Sequence, residues 1–248
     1  MKRYRNQLGR VFLFLVIANL FPFAAISQTD ESRFVTYTVD CKKQSLKFYW
    51  KNDRGEKFKS IESLKSWLEG NNATPVFAMN AGMYKEDNSP LGLFIENYKM
   101  LSRLNSSAGS GNFYLQPNGI FYITAGNIPF VCETSTFKYS NQIKYATQSG
   151  PMLVINGKIH SAFKEGSTNL NVRNGVGILQ DNKVIFVMSK EGINLFDFAS
   201  YFQKLGCRNA LYLDGFVSRT YLPEKNWKQT DGNFGVIIGV TVKGDVGS

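Results

Sequence analysis

Residues 151–160 read PMLVINGKIH, and their reading decides the fold. Two short apolar runs flank Asn156-Gly157, a dipeptide whose residues accept the positive φ of a tight two-residue turn. This predicts two antiparallel strands rather than a strand feeding a crossover helix. The same signal repeats outward from it. GLFIENYKMLSRL (92–104) turns near Asn97, NFYLQPNGIFYIT (112–124) at Pro117-Asn118-Gly119, and GVGILQDNKVIFVMS (175–189) near Asn182.

Nearer the start, RFVTYTVD (33–40) and SLKFYWK (45–51) alternate and are rich in β-branched and aromatic residues, which marks half-buried strands. PVFAM (75–79) reads as a buried strand with Asn80 at its exit, and FGVIIGVTV (234–242) as the final strand. Two segments carry helical spacing instead. In IESLKSWLEG (61–70), Ile61, Leu64 and Leu68 share one face and Gly70 ends it. In NLFDFASYFQKLG (194–206), Leu195, Phe198, Phe202 and Leu205 share a face, Lys204 sits in the last turn and Gly206 is the stop. The expectation is one α+β domain: an antiparallel-rich sheet system with at least two packed helices.

A leader precedes it. Lys2, Arg3, Arg5 and Arg10 come before VFLFLVIANLFPFAAIS (11–27), which has no charge and ends in small residues. The run is short for a membrane span and contains Pro22, so 1–27 reads as a signal peptide and 28–248 as the domain. The expected location is periplasmic or extracellular. With the four leader positives set aside, 25 Lys+Arg face 19 Asp+Glu, a net charge of about +6. Such a field favours an anionic substrate, and without a dense basic run it does not point to nucleic acid. Cys41, Cys132 and Cys207 are odd in number, so one bridge and one thiol is an option for an exported protein. A single histidine, His160, and scattered cysteines argue against a zinc site. His160 reads as a surface residue at a strand end. No cofactor is predicted, and Ca²⁺ or Mg²⁺ bound through oxygen ligands stays open.

Polar residues gather where strands end. They are Asn80 and Gly82 in MNAGMY (79–84), Arg103, Asn105 and Asn112 in SRLNSSAGSGNF (102–113), and Gln148, Ser149 and Gly150 in TQSGPM (147–152). Arg173 and Asn174 in NVRNGVG (171–177), and Asp214, Gly215, Ser218 and Arg219 in LYLDGFVSRTY (211–221), complete the set. Each alone is ordinary turn chemistry. Together they suggest one polar pocket rich in amides, hydroxyls and arginine, suited to a sugar or a phosphate.

FAMNAGMY, SPLGLFIE, GNFYLQPNGIFYI, ATQSGPMLVINGKIH, RNGVGI and NALYLDG occur in this order. The set resembles the phosphodiester glycosidase family, whose domain is shared with the lysosomal uncovering enzyme, and its bacterial branch most closely. The resemblance spans about residues 33–242. It implies hydrolysis of a sugar-1-phosphodiester. It also implies site positions at Asn80 and Gly82, at Gly150 and Pro151, at Arg173 and Gly177, and at Asp214, Gly215 and Ser218. Where many relatives continue the aspartate with glycines and serines, this chain has Phe216 and Val217, so its substrate is expected to differ.

Asp214 is the best-placed acid. Asp197 falls in the first turn of a helix, where capping and the helix dipole explain it, and Glu86 and Asp87 fall in a surface loop. Glycosidases ordinarily need two carboxylates. A phosphate leaving group lessens the need for a second, because an arginine can neutralise the developing charge. Arg173 is expected in that role, supported by Arg103 or Arg219. Asp214 would activate water or steady the cationic sugar, while Asn80, Asn112 and Ser218 hold hydroxyls or phosphate oxygens. The alternatives are a non-catalytic cell-surface glycan-binding module and a metal-dependent phosphodiesterase.

Overall fold

The computed structural model describes residues 32–214 and 217–244. Residues 1–31, which include the expected leader, Gly215, Phe216 and residues 245–248 lie outside the described residues. In chain order the elements are β1 (Phe34–Val39), β2 (Ser45–Tyr49), α1 (Ile61–Gly70), β3 (Ala73–Asn80), β4 (Phe94–Glu96), β5 (Lys99–Ser102), β6 (Gly119–Thr124), β7 (Pro129–Glu133) and β8 (Ile143–Ser149). They continue as β9 (Met152–Ile155), β10 (Lys158–Ile159), β11 (Asn174–Ile178), β12 (Val184–Ser189), α2 (Leu195–Lys204), β13 (Asn209–Tyr212), β14 (Thr220–Leu222), β15 (Trp227–Lys228) and β16 (Ile237–Lys243).

The strands form three sheets, ordered β1-β12-β11-β13-β9-β10, β15-β14-β3-β16-β2 and β5-β4-β8-β6-β7. The pairs are antiparallel. This is the α+β, antiparallel fold that the hairpin signals predict. The turns have the chemistry they need: Asn156 and Gly157 sit at φ 49° and 80°, Asn97 and Tyr98 at 47° and 67°, and Asn182 at 60°. Asn194 caps α2 by accepting from the Asp197 N–H at 2.8 Å, and its amide donates to the Asp197 carboxylate at 3.0 Å. Capping therefore accounts for Asp197.

One expected hairpin is absent. Residues 117–119 do not turn back on 112–116, which include a single 3-10 turn at Asn112–Tyr114. Asn118 is buried and spends its amide on the Phe113 carbonyl, at 2.9 Å. Gly119 starts β6, and its missing side chain makes room for Met152 Sδ and the Cys132 carbonyl. Its role is close packing, not turning. The hairpin forms further on, between β6 and β7, with Asn127 at φ 54°.

The main core lies between the sheets and includes Phe48, Phe77, Phe121, Phe186, Leu211 and Ile238. On the outer face of the first sheet, α2 packs Phe198, Tyr201 and Phe202 against Phe34, Val187 and Tyr212. On the second, α1 packs Ile61, Leu64 and Leu68 against Ala78 and Ile237. Each large side chain so buried contributes about 1.5–3 kcal/mol. Cys41, Cys132 and Cys207 are free thiols, and burial pushes Cys207 up to about 12.

His160 is buried, not a surface residue, with 3% of its area exposed. Its Nδ1 accepts from the Ala162 N–H at 3.1 Å, which leaves the proton on Nε2 to donate to the Gln116 carbonyl at 3.0 Å. Burial lowers its pKa. The sequence hid this because Phe163, which stacks on the ring at 4.8 Å, comes from the irregular loop beyond β10.

Glu96, at the end of β4, carries a testable pH dependence. Burial pushes its carboxyl up to about 7, against a smaller opposing effect of the Trp50 N–H. The folded protein therefore holds this proton more tightly than the unfolded chain, where a glutamate titrates near ~4.3. The stability it contributes is full at low pH and is lost as pH rises through about 7. Thermal melts should show Glu96→Gln matching the parent at about pH 4 and exceeding it by roughly 2 kcal/mol at about pH 8, a figure reduced for solvent screening.

Candidate active site

The three sheets meet at the ends of β3, β8, β11 and β13. There Asn80 is the hub. Its Oδ1 accepts from Asn174 Nδ2 at 3.0 Å and from the Arg219 N–H at 2.9 Å. Its Nδ2 donates to the Val217 carbonyl at 2.6 Å and to Asp214 Oδ2 at 3.4 Å. Asn174 donates also to the Asn80 carbonyl at 2.9 Å and accepts from the Asp214 N–H at 2.9 Å. Ser218 Oγ reaches the carbonyls of Asp214 at 2.8 Å and Val172 at 3.2 Å. Asp214 is thus fixed through its N–H, its carbonyl and its carboxylate, with 4% of its area exposed.

Asn80, Asn174 and Ser218 are expected from sequence to hold substrate, yet their polar atoms are engaged inside the protein. Satisfied buried amides of this kind specify geometry. They build a frame around Asp214. Arg219 joins it through its backbone, while its guanidinium grips Asp231 with two bonds of 2.7 and 2.8 Å.

A second group ties the third sheet to this frame. Gln148 Oε1 accepts from the N–H groups of Leu93 and Asn105 at 3.0 and 2.9 Å, and its Nε2 donates to the Asn105 carbonyl at 2.7 Å. Ser149 Oγ donates to the Leu213 carbonyl, one residue before Asp214. Gly150 follows, joined to Pro151 by a cis peptide bond. Gly82 lies against this group: a Cβ there would strike the Gln148 carbonyl oxygen and Thr147 Oγ1. Backbone cannot yield as a side chain would. Gly82→Ala is expected to cost about 1–3 kcal/mol, read as a lowered denaturation midpoint.

Arg173 and Asn174 are consecutive, and strand alternation sends them to opposite faces. Arg173 faces α2. It is fully buried, and Nε donates to the Ile193 carbonyl at 2.7 Å, Nη1 to the Tyr212 hydroxyl at 2.9 Å and Nη2 to the Asn169 carbonyl at 2.9 Å. Its Cζ lies 5.4 Å from the centre of the Tyr212 ring. Among the described residues no carboxylate comes within ion-pair distance of it. Arg173, though buried, is among the residues that border a cavity of about 250 Å³, with Asn112.

Two tyrosines that the sequence reading does not single out join the site. Burial raises Tyr212 to about 12; Arg173 opposes the shift and the charge of Asp214 adds to it. Burial raises Tyr84 to about 12, again with a contribution from Asp214. The available signal was proximity in sequence, because Tyr212 lies two residues before Asp214. Arg103 is exposed on the loop after β5, and Asn105 is bound to Gln148 rather than turned to the cavity. Val217 packs toward the α1 cluster. Among the described residues no three His, Cys, Asp or Glu side chains converge as a metal site would require.

The family model of phosphodiester glycosidases matches residues 73–241. The chain belongs to the phosphodiester glycosidase family. The matched span holds Asn80, Gln148, Arg173, Asn174, Asp214 and Ser218, and leaves out β1 and β2. An Escherichia coli K12 relative, YigE, described as uncharacterized, is 37% identical over 220 residues, 87% of this chain and 86% of its own length. Among solved structures, the catalytic domain of zebrafish N-acetylglucosamine-1-phosphodiester alpha-N-acetylglucosaminidase, auto-inhibited by its pro-peptide, superposes with a TM-score of 0.54 at 14% identity, covering 84% of this chain and 88% of that one. A Synechocystis protein described as hypothetical gives 0.54 at 14% identity, over 84% of this chain and 59% of its own. These two likenesses carry the phosphodiester glycosidase fold and no more.

Proposed function

We propose that the chain is an exported hydrolase that breaks the C1–O bond of a sugar-1-phosphodiester. One observation carries the reading: among the described residues a buried guanidinium is held only by neutral oxygens, and its residue borders a cavity. Burying a cation costs several kcal/mol, and carbonyl dipoles offset only part of it. An anion in the cavity offsets the rest. In a phosphodiester the reacting group supplies that anion, and its charge grows as the bond to carbon breaks.

In this reading Asp214 takes a proton from water as the water oxygen bonds to C1. The C1–O electron pair leaves with the phosphate, now a monoester, whose added charge Arg173 stabilises. The proton passes from Asp214 to the phosphate or to solvent, and the free sugar departs. No second carboxylate is required. The leader at 1–27 supports export, and among the described residues no helix is long and apolar enough to cross a membrane.

Turnover in ¹⁸O-labelled water tests the chemistry. Label in the sugar is the expected result. Label in the phosphate, with activity lost to a chelator, would identify a metal-dependent phosphodiesterase instead. Binding of the diester without any turnover would identify a glycan-binding module.

A further inference from the structure

The cavity beside Arg173 has a second cation. Lys164, on the loop between β10 and β11, lines it, and its ammonium makes no hydrogen bond or ion pair among the described residues. Among the described residues no aspartate or glutamate lines the cavity, and Glu165, next to Lys164, is exposed outside it. Two like charges at one small cavity repel unless an anion lies between them.

The rest of the wall divides. Asn112 and Ser167 give it a polar side, while Phe163 and Phe196, both half-buried, give it an aromatic one. Phe163 is held in place by its stack on His160, whose ring is itself bonded at both nitrogens. The aromatic side is thus preformed rather than a mobile loop contact. A ligand that matches both sides is a phosphate bearing an apolar or aromatic substituent.

We infer that Lys164 and Arg173 together bind the substrate's phosphate in this cavity, and that Phe163 and Phe196 receive an apolar or aromatic alcohol esterified to it. Lys164 is then a further substrate-binding residue, and the loop between β10 and β11 sets which phosphodiester fits. The orientation, with the sugar toward Asp214, rests on the function proposed above. The binding itself does not.

Calorimetric titration of the purified protein with phenyl phosphate, glycerol phosphate and inorganic phosphate tests this without turnover. Phenyl phosphate should bind several-fold more tightly than glycerol phosphate. Lys164→Gln should weaken phenyl phosphate roughly tenfold, and Lys164→Arg should restore most of the loss. Phe196→Ala should erase the preference for the phenyl group while leaving inorganic phosphate unchanged. Melting temperatures equal to the parent's exclude misfolding, which is expected since Lys164 is exposed. Equal affinity of Lys164→Gln and the parent overturns the inference, as does no phosphate binding by the parent or a preference for glycerol phosphate. Phosphate binding in a protein that hydrolyses no sugar diester sinks the function and leaves this inference standing.

Discussion

Asp214→Asn is expected to fold as the parent does and to lose the proposed hydrolysis. The substitution keeps the backbone N–H that donates to Asn174 and the carbonyl that accepts from Ser218. It retains the shape of the side chain beside Asn80 while removing the negative charge and the base. A positioned general base is worth about 10²–10⁴ in rate, so kcat on a chromogenic sugar-1-phosphodiester should fall by at least about 10³. Melting temperature should move little, and affinity for phosphate should stay. An active Asp214→Asn protein would remove Asp214 from the chemistry.

Arg173→Met produces the other large effect, and it strikes stability and activity together. The thioether fills much of the volume but leaves the buried Tyr212 hydroxyl without this donor, takes one of two donors from the Ile193 carbonyl, which keeps the Asn171 N–H at 3.3 Å, and releases the carbonyl of the exposed Asn169. An orphaned buried acceptor costs about 1–3 kcal/mol, so a loss of about 2 kcal/mol is expected in denaturant titrations. Loss of one group aimed at a developing anion costs about 10²–10³ in kcat. Arg173→Lys separates the two roles. An ammonium retains the charge but cannot span three oxygens in a planar fork. This variant should recover part of kcat while remaining destabilised. An Arg173→Lys protein as stable as the parent would mean that the fork is not what holds the Asn169 segment to α2.

The turns and helices were legible because their causes are local. Asn156-Gly157, the Asn194 cap and the Ile61, Leu64, Leu68 stripe each act within a few residues. Strand partners were not legible. β1 and β2 are close in sequence and alternate alike, yet they enter different sheets, because burial against distant strands decides pairing. At the site, sequence located the polar residues but not how they are spent. Asn80 and Gln148 look the same on paper whether their amides face a ligand or a backbone, and the fold engages both internally. Arg173 at a strand mouth reads as a cation turned to a ligand. Only the packing of α2 over Tyr212 buries it. Pro117-Asn118-Gly119 misled for a related reason, since Gly119 was selected by Met152 and Cys132 rather than by φ.

β16 is the last strand among the described residues and lies between β3 and β2 in its sheet. Its Ile237 stands opposite Asn80, and the Val236 carbonyl accepts from the Ala81 N–H at 2.9 Å. A nascent chain that has released Asp214 but not yet Ile237 holds the acid without the strand that seats its hub. Such a long-range pairing closes late. Asp214 is then expected to be seated only once β16 has joined β3.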